Sequence, residues 1–159
     1  MLIKTIIDED FNNYKKPSMF VGTCLCNWKC CIESGIPITT CQNQQLSKEP
    51  NIDYSNENLT KRYLNNPITQ SIVFGGLEPV LQFEELIGFI DYFRQSNDDD
   101  IVIYTGYYSH EIQDKIDQLK QYKNIIIKFG RFIPNQKPHY DSFLGVNLAS
   151  NNQYAEKIS

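Results

Sequence analysis

The apolar positions of the chain recur with two different periods. Residues 2–7 are short and β-branched and alternate in part, which predicts an edge strand. Ser18-Met19-Phe20-Val21-Gly22 is a compact apolar run of the kind that makes a short buried strand. Residues 71–74, 101–104 and 125–129 are further runs of this type. Between them the spacing lengthens to helical. Phe83, Leu86, Ile87, Ile90 and Phe93 share one face, with Glu84 and Glu85 in the first turn, where carboxylates meet the positive end of the helix dipole. Ile112, Ile116 and Leu119 form a second stripe behind Ser109, a candidate N-cap.

Strands that alternate with helices predict an α/β fold with a mostly parallel sheet, because parallel neighbours need a crossover and a helix usually supplies it. Residues 42–66 break the pattern with Asn, Gln, Ser, Lys and Glu. They hold one helical candidate at 57–64, with Leu59 and Tyr63 on one face, and are expected to form a surface insertion within a single domain spanning 1–159. In parallel sheets ligands collect beyond the carboxyl ends of the strands. The loop after residue 22, Gly75-Gly76, Thr105-Gly106 and Gly130-Arg131 all fall there.

Composition changes the picture in two places. The 159 residues carry a formal net charge of −4 with no cluster of Lys or Arg, which argues against a nucleic-acid partner. Acidic residues follow Ile7 before any apolar segment of signal-peptide length, and no stretch is long enough to span a bilayer. A cytoplasmic location is therefore expected. Of five cysteines, four lie between Cys24 and Cys31. An odd, crowded set is a poor disulfide framework and turns the reading toward metal or redox chemistry.

Cys26-Asn-Trp-Lys-Cys30 places two soft thiolate donors on one short loop, as an iron–sulfur cluster requires. A zinc site would call for a matching second C-x-x-C pair or histidines. There is no second pair, and His110 and His139 stand alone. Gly75-Gly76-Leu77-Glu78-Pro79 follows a strand, where glycines allow close approach of a ligand and a carboxylate can accept from an ammonium group.

With these segments in view, the chain resembles the radical S-adenosylmethionine superfamily, and within it the activating proteins of anaerobic ribonucleotide reductase. The superfamily carries a C-x-x-x-C-x-x-C loop after its first strand. Cys26 and Cys30 fit the first spacing, but the third position is Glu33, and the resemblance points to Cys41 in Cys41-Gln42-Asn43 as the third ligand, with Cys31 and Cys24 as alternatives. Residues 74–82 resemble the G-G-E-P segment. Gly130-Arg131-Phe132 and residues 144–153 resemble the G-x-F and G-S-x-N-Q segments of the activases.

The resemblance implies a small partial (β/α) barrel with an N-terminal edge strand, a [4Fe–4S] cluster on Cys26, Cys30 and Cys41, and S-adenosylmethionine held by Gly75, Gly76 and Glu78, with Thr105 at the same site. It implies an oxidoreductase that cleaves the cofactor reductively and sets a glycyl radical on a partner, an anaerobic ribonucleotide reductase or another glycyl radical enzyme. The electron donor would be a flavodoxin or ferredoxin. The rival readings are a radical enzyme acting on a small molecule or another peptide, and a non-catalytic iron–sulfur or zinc module.

Overall fold

The apolar runs become strands that hydrogen-bond side by side, and the helical stripes become the layer that covers them. A computed structural model describes residues 1–159. In chain order the elements are β1 (Leu2–Asp10), β2 (Ser18–Thr23), α1 (Lys29–Ser34), α2 (Gln44–Lys48), β3 (Ile52–Asp53), α3 (Asn56–Leu64) and β4 (Ser71–Gly75). They continue with α4 (Phe83–Phe93), β5 (Asp100–Tyr104), α5 (Gln113–Leu119), β6 (Ile125–Phe129), β7 (His139–Asp141), β8 (Val146–Leu148) and β9 (Tyr154–Lys157).

The main sheet has the order β3-β1-β2-β4-β5-β6-β9. The inner four strands, β2, β4, β5 and β6, are parallel, with Val21 opposite Phe74, Phe74 opposite Ile103 and Ile103 opposite Ile127. The flanks are antiparallel: β1 runs against β2 and β3, and β9 against β6. Every residue of β4 and β6 is buried, as expected for strands covered on both faces.

On one face, Ile72, Phe74, Ile101, Ile103, Ile125, Ile127 and Phe129 meet the stripes of α3, α4 and α5 in the main core. Phe89 stands between Phe74 and Phe93, with ring centroids 5.3 and 5.5 Å away. On the other face, Val73, Val102 and Ile126 are covered by Tyr14, Leu144 and Leu148. Leu148 belongs to the antiparallel hairpin of β7 and β8.

The α/β class and the mostly parallel sheet agree with the sequence pattern, and four particulars differ. β1 is not the edge, because β3 pairs with Leu2 and Ile3 outside it. Residues 42–66 are not wholly a surface insertion: α3 drives Leu59 and Tyr63 into the main core, the Tyr63 ring packing edge-on against Phe93 at 5.1 Å. Ser109 does not cap α5. It opens a short 3-10 turn, Ser109–Glu111, in which the Tyr108 N–H donates to the Glu111 carboxylate at 2.8 Å. The chain beyond Gly130, where periodicity predicts no element, supplies β7, β8 and β9. No helix is long and apolar enough to cross a membrane.

Candidate metal centre

β2 delivers the chain to the carboxyl end of the sheet at Thr23, whose hydroxyl donates to the Gly75 carbonyl at 3.2 Å. The loop that follows is pinned by the Glu78 N–H donating to the Leu25 carbonyl at 2.7 Å and by the Cys24 N–H donating to Gln82 Oε1 at 2.6 Å. Trp28 then takes a left-handed conformation, φ 57°, uncommon for a residue with a Cβ. Its carbonyl accepts from the N–H groups of Cys31 and Ile32, which starts α1, while its own N–H donates to Cys26 Sγ at 3.3 Å. Gly35 at φ 63° ends the helix, and a 3-10 turn at Ile38–Thr40 leads to Cys41.

Along this path lie Cys26, Cys30, Cys31 and Cys41. Cys31 is buried, the other three are half-buried, and Cys30 Sγ lies 3.9 Å from Cys31 Sγ. Burial pushes the Cys26 thiol up to about 11, with Cys30, Glu78 and Cys41 adding to the rise. Burial likewise pushes Cys31 up to about 12, helped by Cys30, Cys41 and Cys26. Thiols that crowd one another this way resist ionisation until a cation joins them, and a bound metal reverses the balance outright. Cys24 stands apart, its thiol raised by burial and by Glu85 on α4.

No three His, Cys, Asp or Glu side chains converge as the ligands of a single ion would. Zinc at about 2.3 Å from each sulfur draws its ligands tightly together, whereas a cubane takes one thiolate at each of several separate irons. Four thiols on one stretch of chain, with no histidine among them, suit the cubane by donor type.

Cys26 and Cys30 line a cavity of 40 Å³ together with Asn27, Lys29, Glu78, Gly106, Tyr107 and Arg131. Glu78 is buried. Its carboxylate accepts from Thr105 Oγ1 at 2.7 Å, the Gly106 N–H at 2.9 Å and the Val80 N–H at 3.2 Å. It forms no salt bridge, and burial raises its pKa against the pull of those donors. The nearby Lys128 ammonium donates to the Gly130 carbonyl at 2.9 Å instead, and burial lowers Lys128 to about 8. Thr105, expected beside a cofactor, spends its hydroxyl on Glu78 and on the Tyr107 N–H.

Gly75 and Gly76 have packing reasons of their own. A Cβ on Gly75 would stand 3.2 Å from the Phe20 ring, and one on Gly76, at φ 80°, only 2.6 Å from Leu46 Cδ2.

Arg131 closes the far wall. Its guanidinium makes a two-pronged pair with Glu111, reaches the Gly106 carbonyl at 3.2 Å, and meets Glu33 with Nη2 donating at 3.1 Å and Nε at 2.8 Å from Oε2. Lys29 adds a bond to Glu111 at 2.6 Å. Glu111 is held at about 2, chiefly by Arg131. From the tail, Asn152 Nδ2 donates to the Arg131 carbonyl at 2.8 Å and Gln153 Nε2 to the Gly130 carbonyl at 3.2 Å.

The structure thus brings Cys26, Cys30, Glu78 and Thr105 to one sheet end, with Gly75 and Gly76 in the turn behind them, whereas Cys41 follows the turn after α1 and does not line the cavity of Cys26 and Cys30. Sequence reading missed Lys128, although a lone lysine inside Ile125-Ile-Ile-Lys-Phe129 was a visible signal. Glu111 and the Asn152-Gln153 clasp left no such mark, because their partners are distant in sequence.

No curated protein and no solved structure matches the chain. Residues 15–154 match the family described as the 4Fe-4S single cluster domain. That span runs from before β2 into β9 and contains all five cysteines, so the chain belongs to the 4Fe-4S single cluster domain family and is an iron–sulfur protein.

Proposed function

We propose that the protein is a radical S-adenosylmethionine enzyme, with its cluster on Cys26, Cys30 and Cys41 and the cofactor's methionyl amine on Glu78. The observation that carries this reading is Glu78 itself, a buried carboxylate that lines the same small cavity as Cys26 and Cys30 and makes no direct ion pair, the nearby Lys128 ammonium acting on it only at longer range. An ionised carboxylate offers about four acceptor positions, and three donors occupy Glu78. One position remains for an incoming ammonium group, whose charge would offset the cost of burying the carboxylate.

When bound, a reduced [4Fe–4S] cluster would supply one electron to the sulfonium, releasing methionine and a 5′-deoxyadenosyl radical. The chain's own residues would do the rest. Thr105 and the Gly106 N–H hold Glu78 in one orientation, the Gly75-Gly76 turn fixes the approach to it, and Arg131 with Glu111 ties α1 and its Cys30 to the ends of β5 and β6. Beside the thiol cavity, a cleft of 290 Å³ lined by Glu33, Ser34, Tyr108, Arg131, Ile133 and Pro134 leaves room for a substrate segment. We assign that substrate to a glycyl radical enzyme of the anaerobic ribonucleotide reductase kind, and the partial (β/α) barrel to the arrangement of the sheet.

Anaerobic reconstitution with iron and sulfide, followed by dithionite and S-adenosylmethionine, should yield 5′-deoxyadenosine. Glu78→Gln should keep the cluster absorbance and lose at least about tenfold in cofactor affinity. A fully loaded wild-type protein that cleaves no cofactor would overturn the proposal and leave an electron-transfer or structural cluster in its place.

A further inference from the structure

Arg131 is buried, and the two edges of its guanidinium are held very differently. The end-on edge, Nη1 with Nη2, meets both oxygens of Glu111, and Nη1 also donates to the Gly106 carbonyl at 3.2 Å. The side-on edge, Nε with Nη2, has only Glu33. Nη2 donates to Glu33 Oε1 at 3.1 Å, but Nε, although 2.8 Å from Oε2, is a buried donor with no aligned acceptor. A fork that matches the two oxygens of a carboxylate is therefore covered by a carboxylate that does not seat on it.

Glu33 is also the loosest member of the group. Its side chain is 48 % exposed against 19 % for Glu111, and Lys29, one turn earlier on α1, offers it a second cation at 3.8 Å. Glu33 and Arg131 both line the 290 Å³ cleft, so a swing of Glu33 toward Lys29 opens the side-on edge to it. The other walls are Ile133, Pro134 and Tyr108, whose ring lies 4.9 Å from the Arg131 guanidinium and stacks on His110. Walls of this kind keep water away from an ion pair and strengthen it. The two cations and two carboxylates of the group are balanced, and an incoming carboxylate adds a single charge where a phosphate dianion would add two.

We propose that this cleft recognises a carboxylate of the substrate peptide, which displaces Glu33 from the side-on edge of Arg131 onto Lys29. Glu33 is then a built-in competitor that keeps the buried guanidinium paired while the cleft is empty. That the carboxylate belongs to a peptide rests on the function proposed above; the exchange of carboxylates on Arg131 does not. An Asp or Glu side chain and a chain terminus present the same two oxygens, and the test tells them apart.

Titration calorimetry on anaerobically reconstituted protein, without S-adenosylmethionine, needs three short peptides. N-acetyl-Ala-Glu-Ala-amide carries a side-chain carboxylate, N-acetyl-Ala-Gln-Ala with a free carboxyl end carries a terminal one, and N-acetyl-Ala-Gln-Ala-amide carries neither. One of the charged peptides should bind with a dissociation constant on the order of 1 mM, and the neutral one at least about tenfold more weakly. Glu33→Gln removes the competitor and should tighten the charged peptide about tenfold, while Arg131→Lys keeps the charge without the fork and should weaken it about tenfold. Because Glu33 is half-exposed and its replacement leaves Arg131 on Glu111, Glu33→Gln decides the matter should Arg131→Lys fold poorly.

Equal binding of charged and neutral peptides, or no gain from Glu33→Gln, would overturn the proposal. So would competition by excess S-adenosylmethionine, which would give Arg131 to the cofactor's own carboxylate. Carboxylate-selective binding in protein that cleaves no cofactor leaves the exchange standing and removes the enzyme reading. Cofactor cleavage without selective binding does the reverse.

Discussion

The clasp of Arg131 on Glu111 offers the most quantitative test of how the site is held. Glu111 is displaced from an ordinary 4.5 to about 2, with Arg131 the leading cause, and its side chain is only 19 % exposed. A shift of this size corresponds to about 3 kcal/mol of folding free energy at neutral pH. Lys29 and the Tyr108 N–H contribute part of it, and Glu33 adds little because it is half-exposed. Arg131→Met should therefore cost the apo-protein about 2 kcal/mol at pH 7.

The sign follows from the direction of the shift. A lowered carboxyl pKa stabilises the folded state above the unfolded value of 4.5, and that stabilisation is lost as the pH falls through about 2. Urea unfolding followed by circular dichroism should show the gap between wild type and Glu111→Gln shrinking to about 1 kcal/mol near pH 3. The double variant should lose about 2 kcal/mol less than the sum of the single variants. Additive losses, or a gap that does not change with pH, would refute the clasp as an electrostatic unit.

Two further outcomes can be measured on the same preparations. Alanine at Cys26, Cys30 or Cys41 should each remove most of the iron bound after reconstitution, read by iron and sulfide assay, whereas alanine at Cys24 should leave it unchanged. Leu59→Ala should cost about 3 kcal/mol in urea unfolding, the ordinary loss for a fully buried leucine, because α3 is part of the main core. A loss below about 1 kcal/mol would return residues 42–66 to the surface.

The parallel centre of the fold was legible because β4, β5 and β6 are buried on both faces and so read as continuous apolar runs. The helix behind β4 was legible because its stripe keeps one period over eleven residues. What stayed hidden was whatever depends on pairing across the chain. Ile52-Asp53 is too short to show a period, yet it covers the edge of β1. Tyr154–Lys157 alternates weakly and is half-exposed, and only its partner β6 makes it a strand. Leu59 and Tyr63 were legible as one helical face, but the polar stretch around them hid that this face enters the main core, with the Tyr63 hydroxyl donating to Asp99 at 2.7 Å.

At the site, Cys26, Cys30 and Glu78 could be read from local spacing. The pairing of Thr105 with Glu78 could not, since the two meet only where neighbouring strands end. The approach of Cys31 to Cys30 was not legible either, since adjacent residues ordinarily project in different directions.

Glu33 explains why the cysteine loop departs from the pattern it resembles. It stands three residues after Cys30, on the turn of α1 that would otherwise offer a third sulfur, and its carboxylate lies against Arg131 with Lys29 3.8 Å away. That turn is part of the clasp. With Cys41 as the proposed third ligand, the ligand loop would lengthen from a spacing of three residues to one of eleven, at a cost of about 1 kcal/mol in closure entropy. The ion pairs around Glu111 contribute about 3 kcal/mol and fix α1, with Cys30 on it, against the ends of two strands. Glu33→Cys in a Cys41→Ala background should not restore the cluster, because the new sulfur would begin on the side of the helix that faces Arg131. Recovery of wild-type iron content in that double variant would show that the clasp and the ligand set are independent.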